Sequence, residues 1–149
     1  MAKASVSLGR FEPRRLDELI RMWRASFEAG VGIADPHPLS EQREAFLTRV
    51  LPEHDVRVAC LADDLVGFVA ASAESLSQLY VRVGYHRRGI GTQMLDWAKA
   101  RSGGSLWLYT FARNLNARAF YERHGFVAIE HGFEPNWQLE DVKYRWTAR

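Results

Sequence analysis

Apolar and polar positions alternate or recur along this chain in a way that marks its elements one by one. Ser5 to Arg10 alternates and predicts a first strand. Pro13 suits the first turn of a helix, where its missing N–H costs nothing. Leu16, Leu19, Ile20, Trp23 and Phe27 then fall at helical spacing and form one apolar stripe. EAGVGIADPHPL, from Glu28 to Leu39, holds two Gly and two Pro and predicts a loop. Ser40 is placed to cap a second helix carrying Phe46, Leu47, Val50 and Leu51, with Pro52 closing it.

Val56, Val58 and Cys60 alternate as a strand does, Asp63-Asp64 supplies a turn, and LVGFVAAS returns as the partner strand. Leu76 to Val83 is a third such run. A helix with Ile90, Met94, Leu95 and Ala98 inward follows, ended by Gly103-Gly104. SLWLYT is apolar throughout, as a central strand covered on both faces would be. Asn116 to His124 is helical, with Gly125 as its stop, and FVAIE and DVKYRW are two last strands. In the second, Val142, Tyr144 and Trp146 alternate with Lys143 and Arg145. The order β-α-α-β-β-β-α-β-α-β-β mixes helices and strands throughout. It predicts an α/β (α+β) chain, residues 1–149 as one domain, with one mixed sheet and helices on both faces.

Composition narrows the class. The chain has 149 residues, 47% hydrophobic and 26% charged, as an ordinary globular protein does. A formal net charge of +2 is too small to imply nucleic-acid binding. The single cysteine, Cys60, excludes an internal disulfide and fits a reducing compartment. No run of about 18 apolar residues would span a membrane, and MAKASVSLGRFEP lacks the pattern of a signal peptide. A cytoplasmic protein is expected. Five histidines and one cysteine show no metal-ligand spacing, so no metal is expected.

The chemistry concentrates in YHRRGIGTQMLDWA, Tyr85 to Ala98. Helix starts leave backbone N–H groups unpartnered and carry partial positive charge. Gly89 and Gly91 would let an anion approach that backbone, while His86, Arg87 and Arg88 add mobile charge. The alternative is that the glycines let helix and strand pack closely and the arginines are merely solvated. A P-loop is excluded because no Lys-Ser or Lys-Thr follows a second glycine, and a dinucleotide fingerprint fails at Met94.

A second stretch, NLNARAFYERHGF from Asn114 to Phe126, directly follows SLWLYT. Together the two resemble the GNAT superfamily of acetyl-CoA-dependent N-acetyltransferases. The family's Gln/Arg-x-x-Gly-x-Gly/Ala segment is matched by His86-Arg87-Arg88-Gly89-Ile90-Gly91, with histidine at its first position. The Asn-x-x-Ala-x-x-Phe-Tyr-Glu landmark is matched by Asn114, Ala117, Phe120, Tyr121 and Glu122, then Gly125 and Phe126.

The resemblance implies a mostly antiparallel sheet of about seven strands with about four helices, a bulge in the strand ending LYV, and a splay beside SLWLYT. Acetyl-CoA would be the acetyl donor. Its pantetheine would pair with Leu79, Tyr80 and Val81, and its pyrophosphate would lie at His86, Arg87, Arg88, Gly89, Ile90, Gly91 and Thr92. By the same resemblance Tyr121 is the general acid and contacts the cofactor, and Asn114 contacts CoA. From the residues alone, Asn114 caps its helix equally well and Tyr121 suits a packed helix face. Glu74, on the approach to LYV, is a candidate base and equally a solvated strand-end carboxylate.

The acceptor would be a primary amine held between EAGVGIADPHPL and EHGFEPNWQLED. There Glu130, Glu134, Glu140 and Asp141 cluster around Trp137, either to meet a cationic amine or as an ordinary hydrated turn, and His37 and His131 either line the cleft or lie on the surface. Three functions remain: an active N-acetyltransferase, a non-catalytic acyl-CoA-binding regulator, or a nucleic-acid module using Arg82, Arg87 and Arg88. The last lacks any recognised motif and is opposed by 18 acidic residues. No membrane partner is expected, and a homodimer is left open.

Overall fold

The structure, a computed structural model, describes residues 6–149. Ser5, where the first strand was expected to begin, lies outside the described residues. The strands are β1 Val6–Arg10, β2 Asp55–Leu61, β3 Asp64–Ala71, β4 Leu76–Val81, β5 Ser105–Phe111, β6 Val127–Glu134 and β7 Leu139–Thr147. The helices are α1 Leu16–Val31, entered through a 3-10 turn at Pro13–Arg15, then α2 Leu39–Ala45, α3 Leu51–Glu53, α4 Ile90–Arg101 and α5 Leu115–Arg123. A π-helical turn over Phe46–Val50 joins α2 to α3, so the two are one continuous helix. The element order is that predicted.

The seven strands form two antiparallel sheets, β1-β2-β3-β4 and β5-β7-β6. Neighbouring β4 and β5 run parallel and join at one bridge, Ser75 to Trp107, reinforced by the Trp107 N–H donating to the Glu74 carbonyl at 3.0 Å. Beyond it they splay. The cause is in β4: Ala70 faces Gln78 while Ala71 faces Leu76, so Ser77 is an extra residue that bends the strand.

Two apolar layers sandwich the first sheet. On one side Leu16, Leu19 and Ile20 of α1 and Phe46 of the second helix cover Val56, Val58, Leu65 and Phe68. On the other, Ile90, Met94 and Leu95 of α4 and Tyr121 of α5 cover Val66, Val69 and Val81, continuous with Leu106, Leu108, Val142 and Tyr144 of the second sheet. The strand buried on both faces is therefore β3, not β5. Bordering the splay, β5 buries Leu106 and Leu108 but leaves Tyr109 54% exposed.

Three local expectations are corrected. Helix α1 runs one turn past Glu28, because Val31 continues its buried stripe. It stops at Gly32, whose φ of 80° supports the left-handed end. Gly30 inside that helix is a close-approach glycine: a Cβ there would lie 2.8 Å from Asn114 Nδ2. Ser40 does not cap the second helix, since Pro38 occupies the cap position and Ser40 is already helical. Leu47 is 40% exposed, because the π turn rotates the stripe so that Phe46 and Val50 point inward instead.

Candidate active site

The entry to α4 is built without a side-chain cap. Arg87 and Gly89 take left-handed φ values of 65° and 81°, which turn the chain sharply into the helix. Gly89 holds the cap position, and the first helical bond is Gln93 N–H to the Gly89 carbonyl at 3.0 Å. Among the described residues nothing accepts from the N–H groups of Ile90, Gly91 and Thr92. His86, Arg87 and Arg88 stand around them, Arg88 resting over the Tyr85 ring at 4.9 Å.

The two glycines serve different ends. A Cβ on Gly89 would meet nothing within 4 Å, so this glycine is required by its φ. A Cβ on Gly91 would lie 3.3 Å from the Phe120 ring, so that glycine lets α4 close onto α5. Thr92 Oγ1 lies 3.2 Å from His124 Nε2, while His124 Nδ1 lies 2.8 Å from the Phe120 carbonyl. The carbonyl can only accept, so Nδ1 carries the proton and, with a neutral ring, the Thr92 hydroxyl donates to Nε2. That hydroxyl is engaged in joining the two helices.

Between β4 and β5 the splay leaves a narrow cleft of about 60 Å³. It is lined by Leu76 to Tyr80, by Leu108 to Thr110, and by Asn114, Ala117 and Tyr121 of α5. The Val81 carbonyl accepts from the Ser26 hydroxyl at 2.8 Å, pinning α1 across the end of β4. Asn114 Oδ1 accepts the Ala117 N–H at 3.2 Å, so this residue caps α5 while also lining the cleft.

Tyr121 is 8% exposed, its ring packed by Phe120, Phe126 and Tyr144. Its hydroxyl has no hydrogen-bond partner among the described residues although the side chain lines the cleft. Burial, and secondarily the Tyr80 phenol, push its pKa well above the ordinary phenol range. Tyr80 is pushed up to about 12 by burial. Tyr80 stacks on Phe68 on the α1 side of the sheet, whereas Tyr121 comes from the α5 side, so the two phenols approach the cleft from opposite layers.

Glu74 is not brought into this site. It is exposed in the turn between β3 and β4, at the closed end of the splay, and does not line the cleft. Nor do acids enclose Trp137. Glu134 Oε2 accepts the Trp137 N–H at 2.7 Å, and Glu130 faces Lys143 across β6 and β7. The Trp137 ring instead packs on Phe27 at 4.9 Å, His37 at 4.6 Å and Phe111 at 5.9 Å. Most of EHGFEPNWQLED is strand, leaving Pro135 to Gln138 as the turn, and His131 is exposed on β6. The aromatic group at Trp137 joins residues from distant parts of the chain, so local spacing carries no signal of it.

Among the described residues no group of three or more His, Cys, Asp or Glu is arranged to hold a metal ion, and no helix is long and apolar enough to cross a membrane.

Comparison with known proteins bears on this geometry. No curated protein matches the chain at a significant level. Solved structures match along nearly its whole length. The apo form of YjaB from Escherichia coli has a TM-score of 0.79 at 20% identity, covering 97% of this chain and 99% of that one. The PaiA N-acetyltransferase of Thermoplasma acidophilum, solved in complex with coenzyme A, has a TM-score of 0.75 at 18% identity, covering 96% and 99%. An acetyltransferase from Thermus thermophilus has a TM-score of 0.77 at 21% identity, covering 99% of each chain. At such identities these likenesses speak for the fold. The family model of the acetyltransferase (GNAT) domain matches residues 52–128, over half of the chain, from the end of the second helix into β6. That span holds the bulged strand, the glycine-capped helix and the helix bearing Tyr121, and with it the chain belongs to the GNAT family of acetyltransferases.

Proposed function

We propose that this protein moves an acetyl group from acetyl-CoA to a primary amine of a small molecule or peptide, by direct attack in a ternary complex. One observation carries the proposal. An uncapped helix start with three N–H groups unpartnered among the described residues and a left-handed glycine is followed by a helix whose Tyr121, its hydroxyl without a partner among those residues, lines the adjoining cleft. The helix start suits a diphosphate, which needs backbone donors and positive potential. Arg87 and Arg88, exposed beside it, add charge that a bound anion would draw in.

The bulged edge of β4 suits an extended amide-bearing arm. The Val81 carbonyl points off the β3 side of its strand, toward Ser26. Main-chain groups alternate along a strand, so Leu79 presents its own toward the same side. Pairing there would resemble strand addition. Acetyl-CoA, when bound, supplies an activated thioester carbonyl.

The chain's own groups would handle charge and protons. A main-chain N–H at the Ser77 bulge would stabilise the oxyanion, an effect worth about 3 kcal/mol. Tyr121, kept protonated by burial, would donate to the departing thiolate. Asn114 would hold the start of α5 in register with the cleft and is a candidate contact to CoA.

Calorimetry with acetyl-CoA, followed by thiol-release assays over polyamines, arylalkylamines and peptides with free N-termini, tests the proposal. Binding with amine-dependent thiol release is the expected result. Binding without release from any amine would leave an acyl-CoA-binding regulator, and no binding would remove both functions.

A further inference from the structure

The loop between α1 and α2 carries a built side-chain pair. His37 Nδ1 lies 2.8 Å from Asp35 Oδ1, and the His37 main-chain N–H donates to the same oxygen at 2.8 Å. An ionised carboxylate only accepts, so Nδ1 carries the proton and, with a neutral ring, Nε2 carries the lone pair. Asp35 is itself fixed. Its side chain is 7% exposed, it ion-pairs with Arg24 Nε at 3.2 Å, and its N–H donates to Glu28 Oε2 at 2.6 Å. Arg24 also donates to the His37 carbonyl and to Gln42 of α2. The His37 ring, 38% exposed, has no partner for Nε2 among the described residues.

This pair is joined through aromatic rings to elements that border the cleft. The His37 ring meets Trp137, which meets Phe27 and Phe111. Phe111 follows Thr110, a cleft residue of β5, and Phe27 follows Ser26, which holds the end of β4. Helix α1 covers the sheet face opposite α4. A donor held at the start of α4 leaves that opposite side for the amine. The charged groups in contact with the pair are Arg24 and Glu28, both from α1.

We propose that His37 is the general base of the transfer and that Asp35 is its positioning residue, an inference that rests on the function proposed above. The acceptor arrives as an ammonium, and Nε2 takes one proton from it. The freed nitrogen lone pair forms the C–N bond as the C–S bond breaks. Tyr121 gives its proton to the departing thiolate, and the second nitrogen proton restores the Tyr121 hydroxyl. One proton is released per turnover, from His37 to water.

The test uses the full chain, acetyl-CoA and whichever amine of the panel the wild type acetylates. His37→Asn retains an amide donor toward Asp35 and removes the second ring nitrogen; His37→Gln is the second substitution should the first not fold. Each is expected to lower kcat/KM near neutral pH about 100-fold. The Kd for acetyl-CoA should stay within about two-fold of wild type. The rise of kcat/KM with pH should move toward the ionisation of the free amine. Asp35→Asn should lower kcat more than it changes KM for acetyl-CoA, with the same displaced pH profile. Wild-type turnover with unchanged rates and pH profile in both His37 variants would overturn this inference and leave the acetyltransferase function standing. A wild type that releases thiol with no amine would overturn both.

Discussion

Tyr121 and Tyr144 pack with their ring centroids 6.4 Å apart, yet their hydroxyls have opposite surroundings. Tyr144 donates to Glu122 Oε2 at 2.6 Å and accepts from Arg118 Nε at 3.0 Å, while Tyr121 has no partner among the described residues and lines the cleft. Burying a hydroxyl in a fixed network serves the fold; leaving one free at a cleft serves a ligand. Tyr121→Phe is therefore expected to lower kcat by about 100-fold or more, with little change in acetyl-CoA affinity or stability. Tyr144→Phe should do the reverse, costing about 1–3 kcal/mol of stability because it strips a partner from two charged groups. Steady-state kinetics and urea unfolding on the pair check this. Equal activity in Tyr121→Phe would remove its acid role.

At the start of α4, the open space around Gly89 separates two effects. Gly89→Ala meets no clash and adds only left-handed strain, about 1–2 kcal/mol. Gly89→Glu adds a like charge where the diphosphate would sit, and should weaken acetyl-CoA binding well beyond ten-fold, more than about 1.4 kcal/mol. Calorimetry on both variants reads the difference. Wild-type affinity in Gly89→Glu would show that the cradle lies elsewhere.

Gly67 faces β4 at close range: a Cβ there would lie 2.8 Å from the Tyr80 carbonyl oxygen and 3.0 Å from Met94 Cε. The carbonyl is backbone and cannot swing aside. Gly67→Ala is expected to destabilise the fold by about 1–3 kcal/mol as β3 and β4 are forced apart. A urea midpoint at or above wild type would contradict this packing.

High pH should weaken the fold through two phenols, the buried Tyr121 and the partly buried Tyr80. Tyr80, at about 12, and Tyr121, raised further, keep their protons where the unfolded chain has lost them. Between about pH 10 and pH 12 the native state thus binds more protons than the unfolded state, and stability falls as pH rises. Below about pH 10 their contribution is fully present. Urea unfolding at rising pH should show the decline, and Tyr121→Phe should make it shallower. Near-ultraviolet titration should find these two tyrosines ionising last. All five tyrosines of the chain ionising together near the ordinary phenol value would refute the burial.

Helix α4 was legible because what makes it lies within a few residues. Ile90, Met94, Leu95 and Ala98 recur at helical spacing, and all four are buried. The glycine before Ile90 and the landmark around Tyr121 are equally local, which is why the family resemblance was readable at Gly89 and Phe120-Tyr121-Glu122. Alternation likewise marked Val142 and Tyr144 as the inward face of the last strand.

Tertiary packing decided the rest. A largely apolar run cannot say whether its strand sits in mid-sheet, as β3 does, or beside a splay, as β5 does. Gly91 and Gly89 look alike in sequence, yet one answers to Phe120 across a helix contact and the other to its own φ. Trp137 meets Phe27 and His37 instead of the acids beside it in the chain. Sequence alone determined the elements, because periodicity and turn chemistry act between near neighbours. The structure alone determined which side chains share the cleft, because Ser26 with Val81, Gly30 with Asn114, and His37 with Trp137 meet only when distant segments fold together.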